Sequence, residues 1–207
     1  LKYFQKAQSM INIMDCRNLI HLQAIVFMIL LFQYSADLST CYSYIGIAQR
    51  AALQMGLHRK MPDKFNPVER ETRRRVFWTI RKLDICISAM LGFPELLSSE
   101  DIDQEMPIEV EDKFITKTGV ILNPEGKPSL LTQAANAYTK LMFTLAKVLK
   151  YIYPTKGLEE SIGGEKMTGC LISHEKILEI EQDLAHWLES LPPRLRPGGE
   201  EEVEIIR

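Results

Sequence analysis

The chain has 207 residues, of which 46% are hydrophobic and 25% are charged, and its formal net charge is −2. This composition is typical of a globular protein and excludes an intrinsically disordered chain. A chain of this length buries a core without disulfide or metal cross-links. The small negative charge argues against a domain held on nucleic acid by bulk positive charge.

The four cysteines lie far apart, and no two of them form a C-x-x-C pair. The spacing of structural zinc sites is therefore absent, and a disulfide framework is not expected. Cys41 and Cys86 lie within apolar stretches, where a free cysteine usually acts as a small core residue. Free thiols are typical of a reducing, intracellular compartment.

Apolar spacing predicts three helices near the start of the chain, over residues 3–14, 19–34 and 38–55. The second is apolar on all sides, which predicts that neighbouring elements surround it. Its uninterrupted apolar run is much shorter than the about 20 residues of a membrane-spanning helix, which favours a buried core helix. Asp37 or Ser39 is expected to cap the third helix, and Gly56 to end it in a left-handed conformation.

The third helix combines small residues with a single charge, Arg50. Gly46 and the neighbouring alanines indicate close approach of another backbone, so we expect the second and third helices to form a buried antiparallel pair. Arg50 must then find a partner there or reach the surface, because an unpaired buried charge is strongly unfavourable.

The fourth helix begins with Asn66 as the cap and Pro67 at the first helical position, and it is predicted to end at Leu91. One of its faces is apolar. A second face, about 110° away, has a basic stripe with two large apolar neighbours, so it is also expected to be covered, by this chain or by a partner. The residues of this second face are Arg70, Arg74, Trp78, Arg81 and Ile85.

Residues 98–112 form an acidic, irregular crossover, since Pro107 forbids a regular helix. A short hairpin is expected over residues 114–122, and two further helices over residues 129–151 and 171–191, with a loop at 156–168. The fold class predicted is all-α, a multi-helix array of antiparallel helix pairs with one irregular acidic crossover and at most a short hairpin. One helical domain is expected over residues 1–197, truncated at both ends, with 198–207 as an acidic linker or the start of a further helix.

No catalytic motif such as G-x-S-x-G or H-E-x-x-H is present. Asp101, Asp103 and Glu105 alternate as in a calcium loop, but the required Gly is missing and a proline follows, which favours a solvated acidic loop. His58 lies just past a helix end, and the sequence does not locate a nucleophile that it would activate as a base. We therefore expect no enzyme, and no cofactor or metal in this chain.

Arg73-Arg74-Arg75 suggests nucleic-acid or phosphate binding, but successive helical residues diverge by about 100° and do not form one patch. Glu69 can pair with Arg73, and Glu71 with Arg75, at i,i+4 spacing. These pairs favour a salt-bridged helix face over a phosphate site.

Asp84 lies at the border of the apolar face of the fourth helix, where a carboxylate is desolvated and needs a partner. Arg50 is the first candidate partner, and Arg81, one turn back, is the second. We expect Asp84 to anchor the fourth helix to the third and to set the turn at residues 92–94. An effector-contacting role for Asp84 is the alternative.

Several of these motifs occur in a fixed order: a small-residue helix ending in Gly-Leu-His-Arg, then Glu-x-Arg-Arg-Arg-x-x-Trp, Leu-Asp, Gly-x-Pro, and an acidic stretch ending in Pro. In this order the sequence resembles the fungal-specific transcription factor domain, the middle homology region of zinc binuclear cluster (Zn2Cys6) regulators. Phe93 departs from the family, which often has Arg there. The residues that match the family motif are Gly46, Arg50, Gly56, His58, Arg74, Arg75, Trp78, Asp84, Gly92, Pro94 and Pro107.

The resemblance implies an all-helical, effector-responsive regulatory region of a nuclear, sequence-specific transcription regulator. It implies zinc only in an N-terminal cluster outside this chain, DNA contact only through that cluster, a small-molecule effector and coregulator proteins as partners, no membrane, and a dimeric full-length protein. The ligand-binding residues are left unassigned. The stretch after Pro107 is most similar to regulators of carbon-source or fatty-acid utilisation. The alternatives are a structural protein–protein scaffold in a nuclear complex, with Trp78 and Ile85 exposed as a docking patch, and a small helical enzyme.

Overall fold

The computed structural model of the chain describes residues 2–11, 13, 16–60, 65–121, 123, 126–152, 161–162, 165–166 and 174–197. Within these residues, six α-helices dominate, which confirms the predicted all-α class. They are α1 (Lys2–Met10), α2 (Leu19–Tyr34), α3 (Leu38–Gln54), α4 (Pro67–Leu91), α5 (Leu130–Ile152) and α6 (His174–Ser190).

Single 3-10 turns occupy Ser99–Asp101, Asp112–Phe114 and Pro193–Leu195. Two-residue strands, β1 (Ser161–Ile162) and β2 (Glu165–Lys166), pair in an antiparallel manner, within a stretch for which the sequence predicted only a loop. The linker expected at residues 198–207 lies outside the described residues. The chain divides into two compact units, Leu1–Thr132 and Gln133–Arg207.

Local sequence signals set the helix ends of the first unit. Of the two candidate caps for α3, Asp37 is the one that accepts a hydrogen bond, from the Thr40 amide at 3.2 Å. The Asn66 side chain accepts from the amide of Glu69 at 2.9 Å and starts α4, with Pro67 at the first helical position. The first helix, predicted over residues 3–14, ends at Met10.

Two glycines end helices as expected. Gly56 follows α3 with φ of 70°, and Gly92 caps α4 with φ of 69°. Side chains with a Cβ rarely adopt this left-handed conformation, so glycine is the residue that lets the chain turn away directly after each helix.

The core of the first unit lies where α2, α3 and α4 pack against one another. Each helix contributes fully buried side chains; examples are Leu22, Ile25 and Ile29 from α2, Ile45, Ala48 and Ala52 from α3, and Phe77, Ile80 and Ile85 from α4. The antiparallel direction of the helix pairs stays a prediction.

The expectation that α2 is surrounded on all sides is wrong within the described residues. Phe27 is 72% exposed and Tyr34 is 87% exposed, and Ile20 and Leu31 are also exposed. In chain order, the four residues are separated by seven, four and three positions. These spacings place them on one face of α2. Because α3 and α4 cover the opposite face, an apolar stripe is left open to solvent. No helix in the described part of the chain is both long enough and apolar enough to cross a membrane.

The hairpin predicted over residues 114–122 is present in a reduced form. Ile115 and Val120 form a single antiparallel bridge. The Thr116 amide donates to the carbonyl oxygen of Gly119 at 2.9 Å, which closes the turn.

In the second unit, polar contacts join α5 to α6. The Lys147 ammonium group lies 2.9 Å from Glu179 Oε1 and 2.5 Å from Asp183 Oδ2. The Trp187 indole N–H donates to the carbonyl oxygen of Ala137 at 2.8 Å.

Candidate functional site

Several of the motif residues lie around the acidic crossover, residues 98–112, in the first unit. Main-chain carbonyl groups of the turn after α3 accept hydrogen bonds from Asp103 and Gln104 of the crossover. The Gln104 side-chain amide donates to the carbonyl oxygens of Leu57 at 2.8 Å and Arg59 at 2.9 Å, and the Asp103 amide donates to the carbonyl oxygen of His58 at 2.9 Å. Gln104 is buried, so these bonds are shielded from water.

His58 is thus linked to the crossover by its main chain. Its half-buried ring accepts a hydrogen bond from Arg59 Nε at 3.2 Å. Burial lowers the pKa of His58, the neighbouring Arg59 lowers it further, and Asp101 opposes both effects. The neutral ring is therefore favoured, and the arrangement fits a structural residue past a helix end.

Trp78 on α4 binds the middle of the crossover. The side chain is only 5% exposed, which confirms its predicted burial. Its indole N–H donates to the carbonyl oxygen of Glu105 at 2.9 Å, and its ring packs edge-on against Phe77 at a centroid distance of 5.1 Å. Ile85 is also fully buried, so the docking patch expected for a scaffold at these two α4 residues is wrong.

Glu71 on α4 binds the last part of the crossover and is 3% exposed. Its carboxylate accepts from Arg75 Nε at 2.8 Å and from the amide of Ile108 at 3.3 Å, and Arg74 Nη1 lies 3.8 Å away. Burial raises the pKa of Glu71, while the hydrogen bonds from Arg75 and Ile108 and the two arginine charges oppose that rise. The carboxylate is therefore held in place by donors from α4 and from the crossover.

The three consecutive arginines each have a carboxylate partner. The i,i+4 pairs predicted from the sequence are present, with Arg73 3.0 Å from Glu69 and Arg75 2.8 Å from Glu71. Arg75 also binds Asp112 at 2.7 Å, and Arg74 binds Glu105. Their positive charges are thus neutralised within the chain, which argues against the phosphate-binding alternative.

Glu105 joins two elements at the edge of the crossover. Lys60, beyond α3, lies 2.8 Å from Glu105 Oε1, and Arg74 of α4 binds the other carboxylate oxygen. The hydrogen bond from Lys60 and the charge of Arg74 lower the pKa of Glu105, although burial has a small opposing effect. We refer to Glu71, Arg74, Arg75, Trp78 and Gln104 as the crossover clamp, because their bonds fix residues 103–112 against α4 and the preceding turn.

The calcium-loop pattern does not assemble a site, since Glu105 is paired with basic side chains. Within the part of the chain that the structure describes, no group of three or more His, Cys, Asp or Glu side chains is placed to hold a metal ion.

Asp84 belongs to a second, more deeply buried cluster, which we call the Arg81 cluster. Asp84 and Arg81 are both 0% exposed, and Arg81 Nη1 lies 3.2 Å from Asp84 Oδ2. Arg81 Nη2 also lies 2.5 Å from Glu95 Oε2. Asp84 accepts from the Leu96 amide at 3.0 Å and from Ser88 Oγ at 3.4 Å, so it holds the chain that follows the Gly92 turn.

The first candidate partner of Asp84 was wrong. Arg50 is exposed, so the second candidate, Arg81, is the residue that pairs with the carboxylate. Among the described residues, the hydrogen bonds and the ion pair of Asp84 join α4 to the loop after it. Burial raises the pKa of Asp84, and the nearby Glu95 adds to the rise, while the Leu96 amide, Arg81 and Ser88 oppose it.

The other motif residues occupy the ends of these elements. A methyl group at Gly46 would lie 3.9 Å from the Leu96 side chain and 3.8 Å from Arg50, which is ordinary contact rather than the close backbone approach expected. Phe93, where the family often has Arg, is partly exposed and packs on the Tyr42 ring at 5.0 Å. Pro94 is exposed, and Pro107 is buried and directly precedes Ile108, whose amide binds the clamp residue Glu71.

The sequence did not reveal that Gln104 and Glu95 take part in these clusters. It predicted the pair between Glu71 and Arg75, but not the burial of Glu71. Glu71 carried a usable signal, because it lies four residues before Arg75. Gln104 and Glu95 lie in irregular segments, where no periodicity shows which side chains turn inward.

Comparison with known proteins identifies the family of the chain. The chain belongs to the fungal specific transcription factor domain family, which it matches over residues 1–191. It is similar to Activator of stress genes 1 of Saccharomyces cerevisiae, with 42% identity over 203 residues that cover 96% of this chain and 20% of that protein. Activator of stress genes protein 1 of Candida albicans is 39% identical over 206 residues, covering 95% of this chain and 21% of that protein.

A more distant relative is the transcriptional activator protein acu-15 of Neurospora crassa, which is 30% identical over 180 residues, covering 86% of this chain and 18% of that protein. The chain spans about a fifth of the length of these curated relatives. Their names describe transcription regulators rather than enzymes. No solved structure shows significant similarity to the chain.

Proposed function

We propose that this chain is the effector-responsive regulatory domain of a fungal sequence-specific transcription factor. In this role it controls the activity of DNA-binding and activation segments that lie elsewhere in the protein. The observation that carries the proposal is that family-motif residues converge on the crossover clamp, in a chain that belongs to the family. The clamp joins three segments of the chain and contains no catalytic constellation among the described residues.

The bonds of the clamp are buried on one side and exposed on the other. This arrangement suits a crossover segment that changes position relative to α4. Trp78 and Glu71 are buried. The side chains of Lys60 and Glu105, which pair with each other, and of Asp112, which pairs with Arg75, are largely exposed. Exposed ion pairs contribute about 0–1 kcal/mol each. An effector with different affinities for two positions of the crossover would shift the population between them.

For the whole protein, we propose a nuclear regulator that contacts DNA through a Zn2Cys6 cluster outside this chain. Zinc would be bound in that cluster only. The full-length protein would form a dimer and would bind coregulator proteins. The relatives support it by their names, which are those of transcription regulators.

A protein–protein interaction scaffold is the second candidate, and the exposed apolar stripe of α2 is the observation that favours it. Its members, Ile20, Phe27, Leu31 and Tyr34, are open to solvent in the first unit. Monomeric proteins rarely leave large contiguous apolar patches exposed without an interaction that covers them.

The test uses the full-length protein in its fungal host, with a reporter gene and promoter occupancy as readouts. Glu71→Gln keeps the shape of the clamp carboxylate and removes its charge. We expect altered reporter output at unchanged occupancy and protein level, because the DNA-binding segment is untouched. Glu100→Gln, an exposed change in the same crossover, is the matched control and should leave output unchanged.

Two outcomes would contradict the proposal. Unchanged reporter output in Glu71→Gln would remove the regulatory role of the clamp. Loss of output in Phe27→Ser, with no effect of Glu71→Gln, would favour the scaffold.

A further inference from the structure

The apolar stripe on α2 consists of Ile20, Phe27, Leu31 and Tyr34, and it is open to solvent in the described part of the chain. Its side chains are between 40% and 87% exposed. At about 100° per residue, they lie within an arc of about 60° on the helix. The helix contains no Asp, Glu, Lys or Arg, so a partner that covered the stripe would bury apolar side chains and no charge of α2.

Helix α1 packs against a different side of α2. The Phe4 ring lies edge-on to the Phe32 ring at a centroid distance of 5.4 Å, and the Gln8 side-chain amide donates to the hydroxyl group of Tyr44 at 2.8 Å. Phe32 is about 130° around the helix from the centre of the stripe. The stripe therefore stays open with α1 in place.

The stripe is symmetric in sequence about Phe27. Ile20 lies seven positions before Phe27, and Tyr34 lies seven positions after it. A spacing of seven keeps side chains on the seam between two helices that pack side by side. When a second α2 runs antiparallel about a two-fold axis at Phe27, the two Phe27 rings face each other and Ile20 of each copy faces Tyr34 of the other. The stripe thus matches itself, as a two-fold interface requires.

The two ends of α2 carry opposite charges. Arg17 lies just before the helix and Asp37 just after it, and both are exposed. The Asp37 amide donates to the carbonyl oxygen of Phe32 at 3.0 Å, which keeps Asp37 at the end of α2. Both charges are ten positions from Phe27, so the antiparallel pair brings Arg17 of one copy to the same end as Asp37 of the other. It also places opposite ends of the two helix dipoles side by side.

We propose that the α2 stripe is a homodimer interface, in which a second copy of this chain packs its α2 antiparallel about a two-fold axis at Phe27. The occupant is a second copy because the apolar side chains and the end charges both complement themselves under that axis. The inference rests on the proposed function for the dimeric state of the full-length protein, and it assigns the surface that this chain contributes to the dimer.

The size of the interface predicts a weak, reversible dimer. The 16 residues of α2 extend over about 24 Å. One pair of helices of this length buries less than the about 1,200–2,000 Å² of a standard stable interface. We therefore expect a Kd of about 10–100 μM for the chain alone. In a full-length protein that is also joined elsewhere, the contact would form at a high effective concentration.

Sedimentation equilibrium of the chain, from about 1 μM to 1 mM, tests the interface. We expect a monomer–dimer equilibrium. Phe27→Glu should weaken the dimer by about tenfold or more, because two carboxylates then face each other across the axis. Tyr3→Ser is the matched control, since Tyr3 is an exposed aromatic residue on α1, outside the stripe. It should leave the Kd unchanged.

A mixture of Phe27→Glu and Phe27→Lys chains tests the two-fold axis. Each variant alone should be monomeric where the wild type dimerises, and the mixture should dimerise because opposite charges then face each other. Phe27 is 72% exposed, so we expect each variant to keep the far-UV circular dichroism spectrum of the monomeric wild type. If Phe27→Glu does not fold, Tyr34→Glu should weaken the dimer in the same way.

Cross-linking tests the direction of the helices. Ile20→Cys and Tyr34→Cys chains, mixed and oxidised with diamide, should form a mixed disulfide dimer above the background of the wild-type chain. Each variant alone should form little dimer above that background, because residue 20 faces residue 34 in the antiparallel pair. Cross-linking of each variant with itself, and not with the other, would indicate a parallel pair and overturn the proposal.

Two further outcomes would overturn the interface: a chain that stays monomeric up to about 1 mM, and a dimer that Phe27→Glu does not weaken. The stripe would then be covered by another protein or by another segment of a longer chain. The reporter test of Glu71→Gln is independent of these measurements. Dimerisation that depends on Phe27, with unchanged reporter output in Glu71→Gln, would support the interface and count against the regulatory role.

Discussion

Replacing the buried cation of the Arg81 cluster is the sharpest test of how the first unit is held together. Arg81→Met keeps most of the apolar stem and removes the charge. Asp84, which is also fully buried, and Glu95 are then left without their cation. Removing one partner of a buried pair destabilises a protein by about 3–5 kcal/mol. In a chain of this size that corresponds to a Tm lower by about 6–20 °C.

The assay is thermal and urea unfolding followed by far-UV circular dichroism. Arg50→Met is the matched control, because Arg50 is an exposed arginine on the neighbouring helix α3. We expect it to change the free energy of unfolding by less than about 0.5 kcal/mol. If Arg50→Met proved as damaging as Arg81→Met, the observed pairing of Asp84 with Arg81 would be refuted.

The pH dependence gives the same prediction a second readout. Burial raises the pKa of Asp84 above its usual value in the folded protein, so the folded state binds this proton more tightly than the unfolded state. Stability from this group is therefore largest below the unfolded pKa and falls as the pH rises through the folded pKa. The loss caused by Arg81→Met should shrink as the pH falls, since protonation removes the uncompensated charge of Asp84.

A double variant isolates the carboxylate. Arg81→Met combined with Asp84→Asn should be more stable at neutral pH than Arg81→Met alone, because the second change removes a buried charge without a partner. Asp84→Asn alone should cost less than Arg81→Met, because Arg81 keeps Glu95. A double variant that is no more stable than Arg81→Met would refute the electrostatic reasoning.

Three further changes test separate contacts by the same unfolding assays. Trp78→Ala should cost about 3–5 kcal/mol, because it empties a core site and frees the carbonyl of Glu105; a loss below about 1 kcal/mol would contradict the burial of the indole. Gly46→Ala should raise the free energy of unfolding by about 1 kcal/mol, since alanine favours the helix and the added methyl makes only ordinary contacts; a marked destabilisation would show a closer approach at α3. Lys147→Met should cost about 1 kcal/mol or less, because the ammonium group and its two partners are partly exposed; a loss of several kcal/mol would mean that this contact is shielded from water.

Local signals were enough to predict the boundaries of α2, α3 and α4, but not the end of α1. Asn66 and Pro67 start α4, and Gly56 and Gly92 end α3 and α4, because each acts through the conformation or hydrogen bonds of its own turn. The burial of Trp78 was also predictable from its position on α4. These features depend on a few neighbouring residues, which the sequence displays directly.

The partner of Asp84 was harder to predict, because it depends on how one helix is rotated against another. Counting residues along α4 placed Arg81 near the basic stripe, but it could not show that the loop after Gly92 brings Glu95 and Leu96 back to the same side. The exposure of Arg50 follows from the rotation of α3, which no repeat in the sequence determines.

The crossover posed a related difficulty. Its many acidic residues suggested a solvated loop, since composition reports the average polarity of a segment and not the direction of each side chain. Gln104 turns inward and Glu105 pairs with Lys60 and Arg74, while Glu100 and Asp101 stay exposed. The packing of the crossover against α3 and α4 determines which of its side chains are paired or buried and which stay exposed.

Several bonds that hold the crossover end on its main chain. Trp78 binds the carbonyl of Glu105, Glu71 binds the amide of Ile108, and the carbonyl of His58 binds the amide of Asp103. Peptide groups are the same whatever side chain they bear, so this path of the chain tolerates replacement of its outward-facing residues. Related proteins could therefore vary the surface side chains of the crossover while its main-chain path stays the same. Such variation would change which partners the segment binds.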